Sequence, residues 1–387
     1  MRATANEAIE FEVSAHSTGP ALARLVLTDF RCYAEARLTV APVPVVLTGP
    51  NGAGKTNLLE AVSFLAPGRG LRRAKLSEID RRGGGSWALS IEMSTSDGPV
   101  QIGTGRDGKS ESGERRLVRI DGAPAKSQTE LARLASLIWL TPQMDRLFTE
   151  AASARRRFLD RLVLGFDSEH AARLGSYERA MRDRLRLLRD GTGDASWLNA
   201  LEEEMAAHGV ALAAARAHCV MRLDRACGEA RGPFPQARLV IEGEVEALLE
   251  RMPALAVEDE VRRRLAAHRR VDAESGATCF GPHRADLAVA HLGNGMPAGI
   301  CSTGEQKALL LAILLAQARL IAAQCGHAPI MLLDEVAAHL DAERRAALYH
   351  EILDLKTQAW LTGTDAALFS PLRQDAQFFA VADARIA

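Results

Sequence analysis

The sequence predicts an α/β fold built on a phosphate-binding loop, with a mainly helical segment inserted into it. Three observations carry that prediction. Residues Gly49-Pro50-Asn51-Gly52-Ala53-Gly54-Lys55-Thr56 fit G-x4-G-K-[ST] at every fixed position, between a β-rich run and an apolar-striped segment. A second apolar run, Pro329 to Leu333, ends in two acids, Asp334 and Glu335. Between the two, from Ser153 onward, apolar residues recur at helical spacing.

The first element, Ala23 to Tyr33, has an apolar core around Leu25 to Leu27, as a buried strand does. Pro44 to Thr48 is the strand that feeds the phosphate loop, and Asn57 to Leu65 is the helix that leaves it, with Leu58, Leu59, Val62 and Leu65 on one side. The glycines let successive N–H groups turn toward one point, and the helix N-terminus adds about half a positive charge there. A triphosphate suits such a cradle. Lys55 is expected to reach the β- and γ-phosphates of ATP, and the Thr56 hydroxyl to take one position on Mg²⁺.

Arg69 to Arg82 carries six cations against Glu78 and Asp80 on a Gly-punctuated loop expected to be mobile. Arg69, Arg72, Arg73 and Lys75 are its candidate contacts to nucleic-acid phosphates, the alternative being a solvated loop. Trp87 to Met93 and Leu117 to Ile120 read as antiparallel strands separated by polar Ser94 to Gly113, with a hairpin turn at Asp121-Gly122. They are expected to widen the first sheet.

Leu137 to Thr141 is a buried strand whose following loop carries Gln143, a candidate sensor of Mg²⁺ and the attacking water. Leu174, Tyr177, Met181, Leu185 and Leu188, then Leu198, Leu201, Met205 and Leu212, form stripes of paired helices around a break at Gly191 to Gly193. Leu239 to Ile241 is a short strand and Val257 to Arg270 a further helix. The expected organisation is an extension at 1–20, nucleotide-domain parts at 21–147 and 275–387, and an inserted helical arm at 148–274.

In the returning segment, Arg284 is a candidate ion-pair partner for Asp286. Ser302-Thr303-Gly304-Glu305-Gln306-Lys307 leads into an apolar helix, and a Ser and a Gly at a helix N-terminus present N–H groups to an anion. Asp334 is expected to hold Mg²⁺ through water and Glu335 to orient or deprotonate the attacking water. Asp341 follows seven residues after Asp334, and Ala359 to Thr362 is a last strand in which a Thr362 or Thr364 hydroxyl could meet the γ-phosphate.

Composition narrows the classes. A formal charge of −1 gives no global pull on DNA or an anionic membrane, so any polyanion contact is local. Six scattered cysteines without C-x-x-C fit a reducing cytosol better than zinc or a disulfide framework. Residues 1–20 lack the layout of a signal peptide, and the apolar run Ala308 to Ala316 is about half of a bilayer span, so a cytoplasmic protein without a membrane segment is expected.

Together these blocks resemble the ABC-type ATPases, with the closer likeness to the bacterial RecF family. The likeness rests on Leu27 to Tyr33, Gly49 to Ala61, Arg155-Arg156-Arg157-Phe158-Leu159-Asp160, Gly281-Pro282-His283-Arg284, Ser302 to Gln306, and the Asp334 and Asp341 blocks. It implies an ABC/SMC-type head with Ser302, Gly304 and Asp341 serving nucleotide across an ATP-dependent homodimer. It also implies DNA binding at single- to double-strand junctions, work with RecR and RecO, and, through them, loading of RecA at gaps. Departures are the missing switch His, where Thr362 or Thr364 stands, and the signature Ser-Thr-Gly-Glu-Gln; the missing His implies slow hydrolysis. The other readings are a structural SMC head, which needs a far longer coiled coil than the roughly 250 residues between Gly54 and Ser302 allow, and a transporter ATPase subunit, which leaves no room for an arm.

Overall fold

The computed structural model describes Ser17, residues 19–108, 115–191 and 194–387, with the backbone alone at His339. Most of the expected 1–20 extension therefore lies outside the described residues. In chain order the elements are β1 (Ala21–Phe30), β2 (Tyr33–Thr39), β3 (Val45–Thr48), α1 (Lys55–Ser63), β4 (Ala88–Thr95), β5 (Gly98–Arg106), β6 (Arg116–Ile120) and β7 (Ala123–Pro124). There follow α2 (Thr129–Leu134), β8 (Leu137–Leu140), α3 (Ala152–Leu164), α4 (His170–Asp190), α5 (Ala195–Gly228), β9 (Ala237–Glu242), α6 (Glu244–Leu249) and α7 (Ala254–Ser275). The chain ends with β10 (Asp286–His291), α8 (Thr303–Cys325), β11 (Ile330–Leu333), α9 (Ala342–Asp354), β12 (Ala359–Gly363), β13 (Gln377–Ala382) and β14 (Arg385–Ile386).

The sheet that carries the phosphate loop runs β14-β13-β3-β12-β11-β8, parallel from β13 to β8. Its strands are apolar on both faces because both are covered. Ile330, Leu332 and Trp360 pack with α1 and the second sheet, while Met331, Leu333 and Leu361 pack with α8. By length and composition α8 could cross a membrane, but Ala308 to Ala318 are all buried inside the protein. Its apolar girth is thus used as a core helix, each large side chain contributing about 1.5–3 kcal/mol on burial.

The second sheet is antiparallel, β2-β1-β4-β5-β6-β7. The strands expected at 87–93 and 117–120 widen this sheet, built on β1, and not the one that carries the phosphate loop. They are not adjacent either: β5 lies between them, within the stretch read as a polar connection. Its Gly and Pro content hides a strand whose Ile102 and Thr104 point inward. Asp121 and Gly122, with φ of 49° and 81°, make the expected tight turn.

The helical segment has a core of its own, formed by Tyr177, Ala180, Leu198, Met205, Val210, Val257, Val261 and Leu265 among others. That separate core does not begin at residue 148. Phe148, Phe158, Leu159 and Leu162 pack with the parallel sheet, and so do Cys219, Val220 and Leu223 from the far half of α5. At 34 residues, about 50 Å, α5 joins both cores and fixes the arm to the head. Inside the arm Arg184, fully buried, donates to Glu202 at 2.8 Å, Asp272 at 2.7 Å and the Leu265 carbonyl at 2.7 Å.

Two local expectations are corrected. Asp286 is paired bidentately by Arg155, at 2.8 and 2.7 Å, while Arg284 is exposed on a 3-10 turn. The stretch from Arg69 to Arg82, expected to be mobile, is tied back at Leu71, whose N–H donates to Ser63, and at Arg81, which pairs with Asp29, while buried Arg116 donates to the Phe64, Ala66 and Gly68 carbonyls just before it.

Candidate nucleotide site

Parallel pairing brings the ends of β3, β12, β11 and β8 to one edge of the sheet, where ligands bind in open α/β folds. Gly49 sits there at φ 151°, and a Cβ on it would lie 1.9 Å from the Val381 carbonyl oxygen. No other residue fits. Gly54, at φ 115°, is the N-cap of α1, so the first amides of the helix open toward the loop. Asn51, Gly52, Gly54, Lys55, Thr56, Asn57, Arg72 and Glu335 line a cavity of about 140 Å³.

Lys55 is almost buried, and its Nζ donates to the Gly49 and Pro50 carbonyls at 2.7 and 2.8 Å. Burial pulls its pKa down, while Glu335 and Asp334 oppose the shift. Asp334 is at the centre of a hydroxyl array: Thr56 donates to its Oδ1 at 3.0 Å and Thr362 at 2.7 Å. Burial pushes its carboxyl up against those two hydrogen bonds, and among the described residues no Lys or Arg forms an ion pair with it. A hydroxyl beside a buried carboxylate is an all-oxygen donor set that fits Mg²⁺. Glu335, next in the chain, adopts φ 52°, a left-handed conformation that costs a non-glycine about 1 kcal/mol or more and turns it toward the phosphate loop.

Thr362 needs a correction. It has no solvent exposure, and its hydroxyl donates to Asp334 while accepting from the Glu335 N–H at 2.8 Å. It stands behind the acids and fixes them instead of reaching a phosphate. Arg72 also departs from its expected place on a nucleic-acid surface: it bonds Asn57 at 2.8 Å and Glu60 at 3.2 Å and lines the phosphate-loop cavity. Arg69, Arg73 and Lys75 are exposed.

Gln143 lies on a 3-10 turn, Pro142–Arg146, that leaves the sheet beside Asp334, since Leu140 pairs with Leu333 and accepts from the Asp334 N–H. It is exposed and lines a neighbouring cleft with Arg73 and Arg157. Ser302 and Gly304 are exposed at the N-terminus of α8, outside the lining of the phosphate-loop cavity, with Ser302 and Glu305 closing a capping box. Asp341 caps α9 through the Arg344 N–H at 2.8 Å. Lys307, the last residue of that block, is buried 3.7 Å from Asp145; burial lowers its pKa, and Asp145 opposes the shift. Sequence patterns gave no hint of that pairing or of the role of Thr362.

A parallel sheet with this loop, an acid pair at the end of a neighbouring strand and an antiparallel sheet beside it define an ABC/SMC-type ATPase head. A family model described as the RecF/RecN/SMC N-terminal domain matches residues 21–383. Proteins named DNA replication and repair protein RecF are 52% identical in Mesorhizobium japonicum, over 93% of this chain and 96% of theirs, and 52% identical in Brucella suis biovar 1, over 92% and 94%. The chain belongs to the RecF family. Among solved structures it resembles the recombination mediator protein RecF with ATP in the RecFOR pathway, with TM-score 0.81 and 21% identity over 95% of this chain and 99% of the other. It also resembles the Smc head domain of Pyrococcus furiosus, bound to the C-terminal domain of ScpA, with TM-score 0.54 and 15% identity over 95% of each chain. Both likenesses concern the fold.

Proposed function

We propose that the chain is an ATP-dependent DNA-binding repair and recombination protein, a homodimer when ATP is bound, that recognises gapped or junction DNA and acts with RecR and RecO to help load RecA. The observation that carries this reading is the divided site. Lys55, Thr56, Asp334 and Glu335 gather at the phosphate loop, while Ser302 and Gly304 are exposed and line no part of its cavity. A second copy of the chain could therefore bring its Ser302 and Gly304 to the nucleotide held by the first. Relatives named for DNA replication and repair support the cellular role, and the ATP-bound neighbour supports the nucleotide.

With ATP bound, Lys55, which now donates to the Gly49 and Pro50 carbonyls, would turn to the β- and γ-phosphates, and Thr56 and Asp334 would hold Mg²⁺, Asp334 through water. The metal ion, when bound, neutralises charge on the phosphate oxygens. Thr362 holds Asp334 and the Glu335 backbone, so that the Glu335 carboxylate orients or deprotonates the attacking water. Gln143 would sense the same water from the neighbouring turn, and Asp341 would complete the partner's site. Hydrolysis is proposed to be weak and DNA-stimulated, a release timer, with Thr362 in place of a switch imidazole. In sequence, residues 21–147 and 275–387 form the proposed head and 148–274 the arm, with α3 and the far half of α5 packed on the core of the head.

The test is the molar mass by light scattering without nucleotide, with ADP, and with ATP on the Glu335→Gln variant, each with and without gapped DNA. A doubled mass with ATP is the expected result. A monomer in every condition removes the divided-site reading.

A further inference from the structure

A cavity of about 310 Å³ lies where Arg73 meets α3 and α4, and shares no lining residue with the phosphate-loop cavity. Two neighbouring cavities, of about 240 and 280 Å³, share Arg73 and Arg157 with it. Arg73 and Arg157 line all three, the first cavity reaching His283 and the third reaching Gln143.

Across the three linings six arginines stand against three acids, Asp160, Glu178 and Glu150. Asp160 is already held by Arg216, at 2.8 and 2.9 Å, and by His170 at 2.8 Å. Glu178 reaches Arg182 at 4.0 Å. Arg156 donates to the Ala285 carbonyl and pairs with no carboxylate among the described residues. Arg73 and Arg157 have no hydrogen bond or ion pair from their side chains to any described residue. Both are exposed at the rim; partial desolvation and the neighbouring Arg157 lower the pKa of Arg73, while Glu178 and Asp160 oppose the shift. A fold that brings unpaired arginines together from a loop and a helix incurs charge repulsion, which is offset when an anion enters.

We propose that this cleft is a phosphate-binding site separate from the phosphate loop, in which Arg73, Arg156 and Arg157 hold successive backbone phosphates of one nucleic-acid strand. The proposal rests on the DNA-binding reading above and names its contact residues. A run of three adjoining cavities suits a polymer better than one small anion, and Arg forks match phosphate oxygens at successive positions. The end of the cleft at Gln143 places the strand beside the turn that leaves the sheet next to Asp334, a direct route from DNA to the nucleotide site.

The test uses the full chain with Arg73→Ala, Arg157→Ala, the double variant and Arg157→Lys, measuring anisotropy of a gapped duplex across a salt series. The double variant should bind DNA about tenfold more weakly, and the slope of log affinity against log salt should fall by about one per lost contact. Arg157→Lys should keep most of the slope, and the melting temperature and binding of a fluorescent ATP analogue should not change. Wild-type affinity and slope in the double variant would overturn the cleft while leaving DNA binding intact. A wild-type chain that binds no DNA sinks the parent reading and this one together. If the double variant loses only binding of inorganic phosphate, the site takes a small anion, and the strand assignment is wrong.

Discussion

The Thr362 hydroxyl donates to Asp334 Oδ1 at 2.7 Å from the neighbouring strand, β12, and in the same position accepts the Glu335 N–H at 2.8 Å. One side chain therefore fixes both acids, holding a carboxylate whose pKa burial raises and a backbone turned into the left-handed region. Thr362→Val keeps the shape and removes both hydrogen bonds. Stability should fall by about 1–2 kcal/mol. Turnover should fall roughly 10- to 100-fold, with a raised Mg²⁺ requirement, as when a group behind a metal ligand is lost. Single-turnover phosphate release across a Mg²⁺ titration checks it; an unchanged rate would place Thr362 outside the machinery.

Gly49→Ala puts a methyl group 1.9 Å from the Val381 carbonyl oxygen at φ 151°, and both neighbours are backbone in a parallel sheet. Neither can retreat as a side chain would. The expected cost is about 3 kcal/mol together with lost nucleotide binding, read by thermal melting and an ATP-analogue titration. Gly52→Ala, whose Cβ meets nothing within 4 Å, should be milder despite its positive φ of 81°.

Much of the nucleotide site was legible because its residues are contiguous in sequence: Gly49 to Thr56, and Asp334 with Glu335. What was not legible depends on register and long-range packing. Thr362 becomes a support of Asp334 because β12 lies beside β11, which no local pattern reveals. The ion pair to Asp286 comes from Arg155, 131 positions away, whereas the sequence offered the nearby Arg284. Strand β5 was hidden because Gly98, Pro99, Gly103 and Gly105 read as punctuation, although only alternate positions need to be apolar when one face is exposed. The arm helices were clear from their stripes, but not the point at which α5 passes from one core into the other.

Arg184 is the charge on which the arm is packed. Arg184→Met would leave Asp272 with the Cys279 N–H and Glu202 with Arg269. An acid left buried without its cation is the costly half of such a change, and the loss should be about 3–5 kcal/mol. Adding Asp272→Asn should recover part of it. Hydrogen exchange should quicken in α4, α5 and α7 first, with β3 and β11 still protected; equal loss throughout would mean that arm and head unfold as one.

Arg116 decides how firmly the loop at 67–75 is held. Its guanidinium gathers the Phe64, Ala66 and Gly68 carbonyls and the Thr104 hydroxyl, and lies 4.8 Å above the Phe64 ring. Burial pulls its pKa down to about 9, so it remains a cation at neutral pH. Arg116→Met fills the space but leaves buried carbonyls without donors, at a cost of about 2–4 kcal/mol. Arg116→Lys keeps the charge but has no planar fork to span three carbonyls, and should recover only part of the loss. Because Arg69, Arg72 and Arg73 follow directly, trypsin should cut there faster in Arg116→Met than in the parent chain at a temperature where both remain folded. Unchanged cleavage would mean that the Gln128 bond to the Gly68 N–H and the Ser63 bond to the Leu71 N–H suffice to hold the loop.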